Sequence, residues 1–172
     1  VLQIQSKEVL ICRMIADLLN PRGQHGAGAE YLKIFLRDCL GMEKMDTKLA
    51  DQAIVTAEYA IDDERRIDIV IEIGSYFLPI EVKIYAADQK SQCFDYYQYA
   101  KRRDAQAKVY YLTLDGHRPG KDSTSSGSQS VPEEDIVCLS FREHILNWLK
   151  ACKSCENTGM IPILEQFIRN IE

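Results

Sequence analysis

The chain has 172 residues, enough for one domain with a real core and too few for two comfortable ones, so residues 1–172 are read as a single domain. With 46% hydrophobic and 27% charged residues it has an ordinary globular composition, and no apolar run approaches the roughly 18 residues of a membrane helix. A net charge of −5 excludes a protein that coats nucleic acid by bulk electrostatics and leaves room only for a local basic patch.

In chain order, Val9, Leu10, Ile11, Met14, Ile15, Leu18 and Leu19 are spaced for a helix over 6–19, with Ser6 as its N-cap. Asn20, Pro21, Arg22 and Gly23 break the pattern, and a second apolar helix spans about 29–40 before Gly41. From Ala53 to Ile84 the period changes to alternation, giving three strands: one with Val55, Ala57 and Tyr59, one with Ile67, Ile69, Ile71 and Ile73, and one with Leu78, Ile80, Val82 and Ile84. Gly74 and Ser75 are a two-residue hairpin signal, so the three strands form an antiparallel meander.

Asp88 is placed to cap a third helix running to Arg103, followed by a strand over 109–114. Residues 115–132, rich in Ser, Gly and Pro, are expected to be a mobile loop without core residues. A short strand at 136–139 and helices at 141–151 and 161–171 complete the C-terminal part, 133–172. The six cysteines lie mostly within apolar patterns, as reduced structural thiols do, and Cys152 with Cys155 lacks the second ligand pair of a zinc site. No basic start followed by an apolar stretch is visible, so a cytoplasmic location is the default expectation.

A two-residue turn at Gly74 and Ser75 sets residues whose numbers sum to 149 opposite one another, pairing Asp68 with Glu81 and Arg66 with Lys83. Directly opposed side chains have Cβ atoms about 5 Å apart, close enough for two carboxylates to share a divalent cation. Alternation puts Asp68, Glu81 and Lys83 on one face and Ile67, Ile69, Ile80, Val82 and Ile84 on the other. Taken alone, this pattern favours an ordinary solvated hairpin face carrying cross-strand ion pairs. The balance changes with the following helix, where Gln92 and Tyr96 stand four residues apart on one face.

Asp68, then Glu81, Val82 and Lys83, then Gln92 and Tyr96 resemble the Asp, ExK and QxxxY signature of the PD-(D/E)XK nuclease superfamily, in its RecB-like branch. The run from Leu18 to Gly26 and the helix bearing Glu30 resemble the opening of a bacterial subfamily, so that the resemblance covers about residues 8–116. Ile67 stands where the name-giving proline would be. The resemblance implies a restriction-endonuclease-like α/β fold: a helix pair, the antiparallel meander, a crossover helix and further strands in a mixed central sheet flanked by helices.

It also implies a nuclease that uses Mg2+ or Mn2+ and acts on DNA in preference to RNA, of the kind used in phage defence or DNA repair. Asp68, Glu81 and the Val82 carbonyl would hold the cation, and Lys83 would orient or help deprotonate the attacking water. Glu30 would be an additional ligand of metal or water, and Gln92 and Tyr96 would hold the scissile phosphate or the water shell. Lys90, Lys101, Arg102 and Arg103 would add a phosphate-facing patch. Glu58 joins the site only if the loop at 62–64 has the right length, and His25 either caps the second helix or touches phosphate. Two alternatives stand beside this reading: a catalytically inactive module of the same fold that binds nucleic acid or a partner protein, and an unrelated α/β protein whose hairpin acids are surface charges.

Overall fold

The computed structural model describes residues 2–153 and 160–171. Helix α1 (Leu2–Leu19) buries Ile11, Ile15, Leu18 and Leu19 of the expected stripe together with Cys12, whereas Leu10 is 58% exposed. It starts before Ser6, whose hydroxyl donates to the Gln3 carbonyl (2.9 Å) and so does not serve as its N-cap. Gly23 in the following turn is required sterically, because a Cβ there would lie 2.2 Å from the Asp17 carbonyl oxygen. Helix α2 (Glu30–Asp38) comes next, and then a short helix that the apolar pattern does not announce, α3 (Thr47–Asp51), capped by the Asp46 carboxylate.

Strands β1 (Ile54–Ala60), β2 (Arg66–Ile73) and β3 (Tyr76–Lys83) form the antiparallel meander. Helix α4 (Gln92–Arg103) crosses over to β4 (Val109–Thr113), which pairs parallel with β3. Parallel neighbours need such a crossover. Beyond lie α5 (Lys121–Thr124), the small hairpin β5 (Ser125–Ser126) and β6 (Gln129–Ser130), strand β7 (Ile136–Ser140), a π-helical turn at 141–145, α6 (Leu146–Lys153) and α7 (Met160–Asn170). The main sheet has five strands in the order β1-β2-β3-β4-β7, antiparallel at first and parallel from β3 onward. This is the mixed, helix-flanked sheet expected from the sequence.

The larger core packs α1, α2, α6 and α7 against Ile69, Ile71, Ile80, Val82, Leu112 and Leu139 of the sheet. The indole N–H of Trp148 donates to the Tyr31 carbonyl (2.8 Å), tying α6 to α2. Helix α4 covers the opposite face through Tyr96 and Ala100 over Val70 and Phe77, and through Cys93 and Tyr97 with Val109 and Tyr111.

Several expectations are corrected. Ile67 is buried, but it joins Val70, Phe77 and Tyr96 beneath α4 instead of the core that holds Ile69. The cause is local: Glu58 has φ 55, and the β1–β2 ladder omits the Glu58–Asp68 pair, so the alternation of faces breaks there. Segment 115–132 does contribute to the interior, since Ser123 and Val131 are buried. Asp88 does not cap α4; its carboxylate accepts from the Tyr111 hydroxyl (2.5 Å) and the Gly120 N–H (2.7 Å). Cys12, Cys39 and Cys93 are buried thiols outside any disulfide, Cys152 is buried, and the CxxC spacing ends at Cys155, outside the described residues.

Candidate active site

The hairpin register is the one a two-residue turn dictates: Ile73 pairs with Tyr76, and Ile69 with Ile80. Gly74 has φ 57 while Ser75 does not enter the left-handed region, the pattern of a turn that needs glycine only at its first central position. The ladder ends at Ile69–Ile80, and one residue further Asp68 Oδ2 accepts from the Val82 N–H (2.8 Å). A carboxylate thus replaces the backbone acceptor where the two strands part. The opening is a cleft of about 560 Å³ whose lining includes Asp68, Glu81, Val82, Lys83, Gln92 and Tyr96. Because the Val82 side chain packs in the larger core, its backbone is what reaches the cleft.

Glu81 and Lys83 are only 1% and 9% exposed, and the Lys83 ammonium lies 2.8 Å from Glu81 Oε1. The other oxygen, Glu81 Oε2, is buried and has no hydrogen-bond donor. Burial, and then the nearby charge of Asp68, hold the Glu81 carboxyl well above the usual carboxylate range despite the lysine. Asp68 is raised too, by burial, although the Val82 N–H and Lys83 work against it. Burial lowers the Lys83 ammonium, but Glu81 and Asp68 outweigh it and hold Lys83 above the ordinary lysine value. Asp68 and Glu81 both feel the single ammonium of Lys83, and in their ionised forms they leave the arrangement one positive charge short.

That deficit fits a divalent cation. Among the described residues no cluster of three or more His, Cys, Asp and Glu side chains is arranged to hold a metal. Asp68 and Glu81 with the Val82 carbonyl could supply two carboxylates and a backbone oxygen, a set that would suit Mg2+, which keeps several of its waters and needs only one or two carboxylates. The donorless Glu81 Oε2 is the atom such an ion would satisfy.

On α4, the Gln92 amide N–H donates to the Tyr96 hydroxyl (3.1 Å), which donates to the Arg66 carbonyl (2.6 Å). Tyr96 is therefore committed to protein partners, and it fixes Gln92 between sheet and cleft. Gln92 Oε1 is left buried without a donor.

Other sequence-derived candidates are placed differently. Glu30 is at the start of α2, paired with Lys33 (3.3 Å), and lines a separate pocket with Met42 and Met45. Glu8 of α1 does line the cleft, and its Oε1 accepts from the N–H groups of Ile84 (2.6 Å), Tyr85 (2.6 Å) and Ala86 (3.2 Å). The signal for Glu8 was a carboxylate at i−3, i−4 and i−7 from the buried Ile11, Cys12 and Ile15. Glu58 does reach the cleft rim and pairs with Arg13 (2.8 Å). His25 is held by protein partners: Nδ1 accepts from the Ala27 N–H, Nε2 bonds the Asn20 carbonyl, and the ring packs on Tyr31. Lys101, Arg102 and Arg103 lie at the far end of α4 and do not line the cleft.

Sheet order, crossover helix and paired carboxylates at the strand divergence define a restriction-endonuclease-like α/β protein. A family model described as the PD-(D/E)XK nuclease superfamily matches residues 1–169, and the chain belongs to that superfamily. The match extends through the C-terminal helices, beyond the motif-bearing core at 8–116. No curated protein and no solved structure matches the chain. Among the described residues, no helix is long and apolar enough to cross a membrane.

Proposed function

We propose that the protein is a Mg2+- or Mn2+-dependent nuclease that hydrolyses phosphodiester bonds of DNA, akin to the RecB-like branch and serving phage defence or DNA repair. The observation that carries this reading is the buried Glu81 carboxylate with one oxygen on Lys83 and the other without a donor, beside Asp68. Asp68, Glu81 and the Val82 carbonyl would hold the cation, which when bound supplies Lewis-acid polarisation of the phosphate and activation of water. Lys83 is anchored by Glu81 at the cleft wall, where its ammonium orients the attacking water and offsets negative charge growing on the phosphorane oxygens. Gln92, aligned by Tyr96, offers its amide to the water shell or the phosphate. The hydrogen bond from Val82 to Asp68 preorganises one carboxylate without a substrate present.

The test is incubation of circular and linear DNA with Mn2+. The parent is expected to cleave, and Asp68→Ala and Lys83→Ala to be inactive while giving an unchanged far-UV spectrum. Cleavage by Lys83→Ala at the parent rate would refute the mechanism, and nucleic-acid binding without any cleavage by the parent would favour the inactive-module reading.

A further inference from the structure

We infer that the Tyr99, Arg102 and Arg103 end of helix α4 is a second nucleic-acid contact, which grips the phosphate backbone of the strand leaving the cleft. The inference rests on the nuclease reading for the identity of the substrate.

Gln92, Tyr96, Tyr99 and Arg103 stand at i, i+4, i+7 and i+11, so one stripe of α4 begins in the cleft and ends at Arg103. The Arg103 guanidinium lies 4.6 Å from the centre of the Tyr99 ring and donates to the Tyr99 hydroxyl (2.5 Å). Arg102 sits over the same ring at 5.8 Å. Tyr99 is steadied in turn by the Tyr59 hydroxyl at 3.1 Å and by edge-on packing with Tyr59. The contacts with the Tyr99 ring, and the hydrogen bond from Arg102 Nε to the Gln98 carbonyl (3.3 Å), restrict the rotamer freedom of these planar cations, the condition under which an arginine binds a phosphate oxygen pair most effectively.

What singles out the two arginines is that both guanidinium groups gather on one tyrosine ring without an acidic partner. Neighbouring Lys101 donates to the Ala105 carbonyl (2.7 Å) and lies 3.9 Å from Asp135. Among the described residues Arg102 and Arg103 form no ion pair, although they are exposed on a chain of net charge −5. Exposed Arg66, likewise without an ion pair, lines the cleft where the stripe begins, with its carbonyl held by Tyr96. Helix-dipole compensation would require positive charge at this end but neither the stacking nor the missing acids. At about 1.5 Å per residue, Gln92 and Arg103 are separated by about 16 Å, a reach of about five nucleotides at about 3.4 Å each. The occupant is a nucleic-acid strand longer than that reach.

The test uses full-length Arg102→Gln/Arg103→Gln and fluorescein-labelled DNA, single-stranded and duplex, one set shorter than the reach and one several times longer. For the long DNA the variant should bind at least about tenfold more weakly. The slope of log K against log salt should fall by about 1.4 for single strands or about 1.8 for duplex. The short DNA and the Mn2+-induced stabilisation should be unaffected, and whichever form shows the larger loss identifies the strandedness of the occupant. Equal affinity and slope for long DNA in parent and variant would overturn the proposal while leaving the nuclease reading intact. A loss of affinity for long DNA alone in the variant, with a parent that neither binds Mn2+ nor cleaves, would support the contact and refute the nuclease reading.

Discussion

Replacing Lys83 with Met retains most of the side-chain volume and removes the ammonium from a site where Glu81 is 1% and Lys83 9% exposed. Two carboxyl groups, Glu81 and Asp68, then remain without the ammonium that pairs with Glu81. Removing one partner of a buried pair costs about 3–5 kcal/mol. For a chain of this size, with about 2–4 °C lost per kcal/mol, the metal-free melting temperature should fall by about 6–20 °C near neutral pH. The loss must depend on pH in a definite direction. Both carboxyl groups already stand above their ordinary values through burial, and removal of Lys83 pushes them further up. The folded protein then keeps protons that the unfolded chain has released, so stability declines as pH rises from the ordinary carboxylate values toward the raised ones. Thermal unfolding followed by circular dichroism in EDTA should therefore show the smallest difference from the parent near the ordinary carboxylate range, about pH 4, and a difference that grows as pH rises. Mn2+ should restore more stability to Lys83→Met than it adds to the parent, because it replaces the missing charge. A destabilisation that is the same at both pH values and indifferent to Mn2+ would refute the electrostatic reasoning and leave only lost packing.

Glu8→Ala removes the acceptor of three consecutive N–H groups at Ile84, Tyr85 and Ala86, and should cost about 1.5–3 kcal/mol in urea unfolding. Glu8→Gln, which keeps one acceptor oxygen, should lose less, and amide exchange should quicken at those three residues in the alanine variant; unchanged exchange there would contradict the assignment. Tyr96→Phe breaks the link between Gln92 and the Arg66 carbonyl and should cost about 0.5–1.5 kcal/mol of stability. Because Tyr96 acts through Gln92, its effect on cleavage should disappear in a Gln92→Ala background, and additive losses in that double-mutant cycle would show that the two residues act separately.

The hairpin was legible because Gly74 and Ser75 set its register and the isoleucines of β2 mark its apolar face, so the meeting of Asp68 with Glu81 followed from counting. Ile67 was misplaced by the same counting. The positive φ of Glu58 interrupts a period-two pattern, and nothing in the identity of a glutamate announces that conformation. Glu30 drew attention because it opens a helix and stands near a family-like segment, yet the fold turns it toward Lys33. Glu8 could have been found as a carboxylate on an otherwise buried stripe, although its partners lie 76 to 78 residues away and no local pattern identifies them. Segment 115–132 looked like loop by composition. Its order comes from distant hydrogen bonds, from Ser91 N–H to the Asp122 carbonyl (2.7 Å) and from Cys93 N–H to the Ser123 hydroxyl (3.2 Å).

Binding of Mn2+ measured by calorimetry near neutral pH tests most directly whether the carboxylate pair is a metal site. The parent should bind the ion, more tightly as pH rises, since protons compete with the cation for Asp68 and Glu81, both held above the ordinary carboxylate range by burial. Asp68→Asn and Glu81→Gln should each bind at least about tenfold more weakly, and Glu30→Gln should bind like the parent. No binding by the parent, or equal binding by Glu81→Gln, would contradict the account.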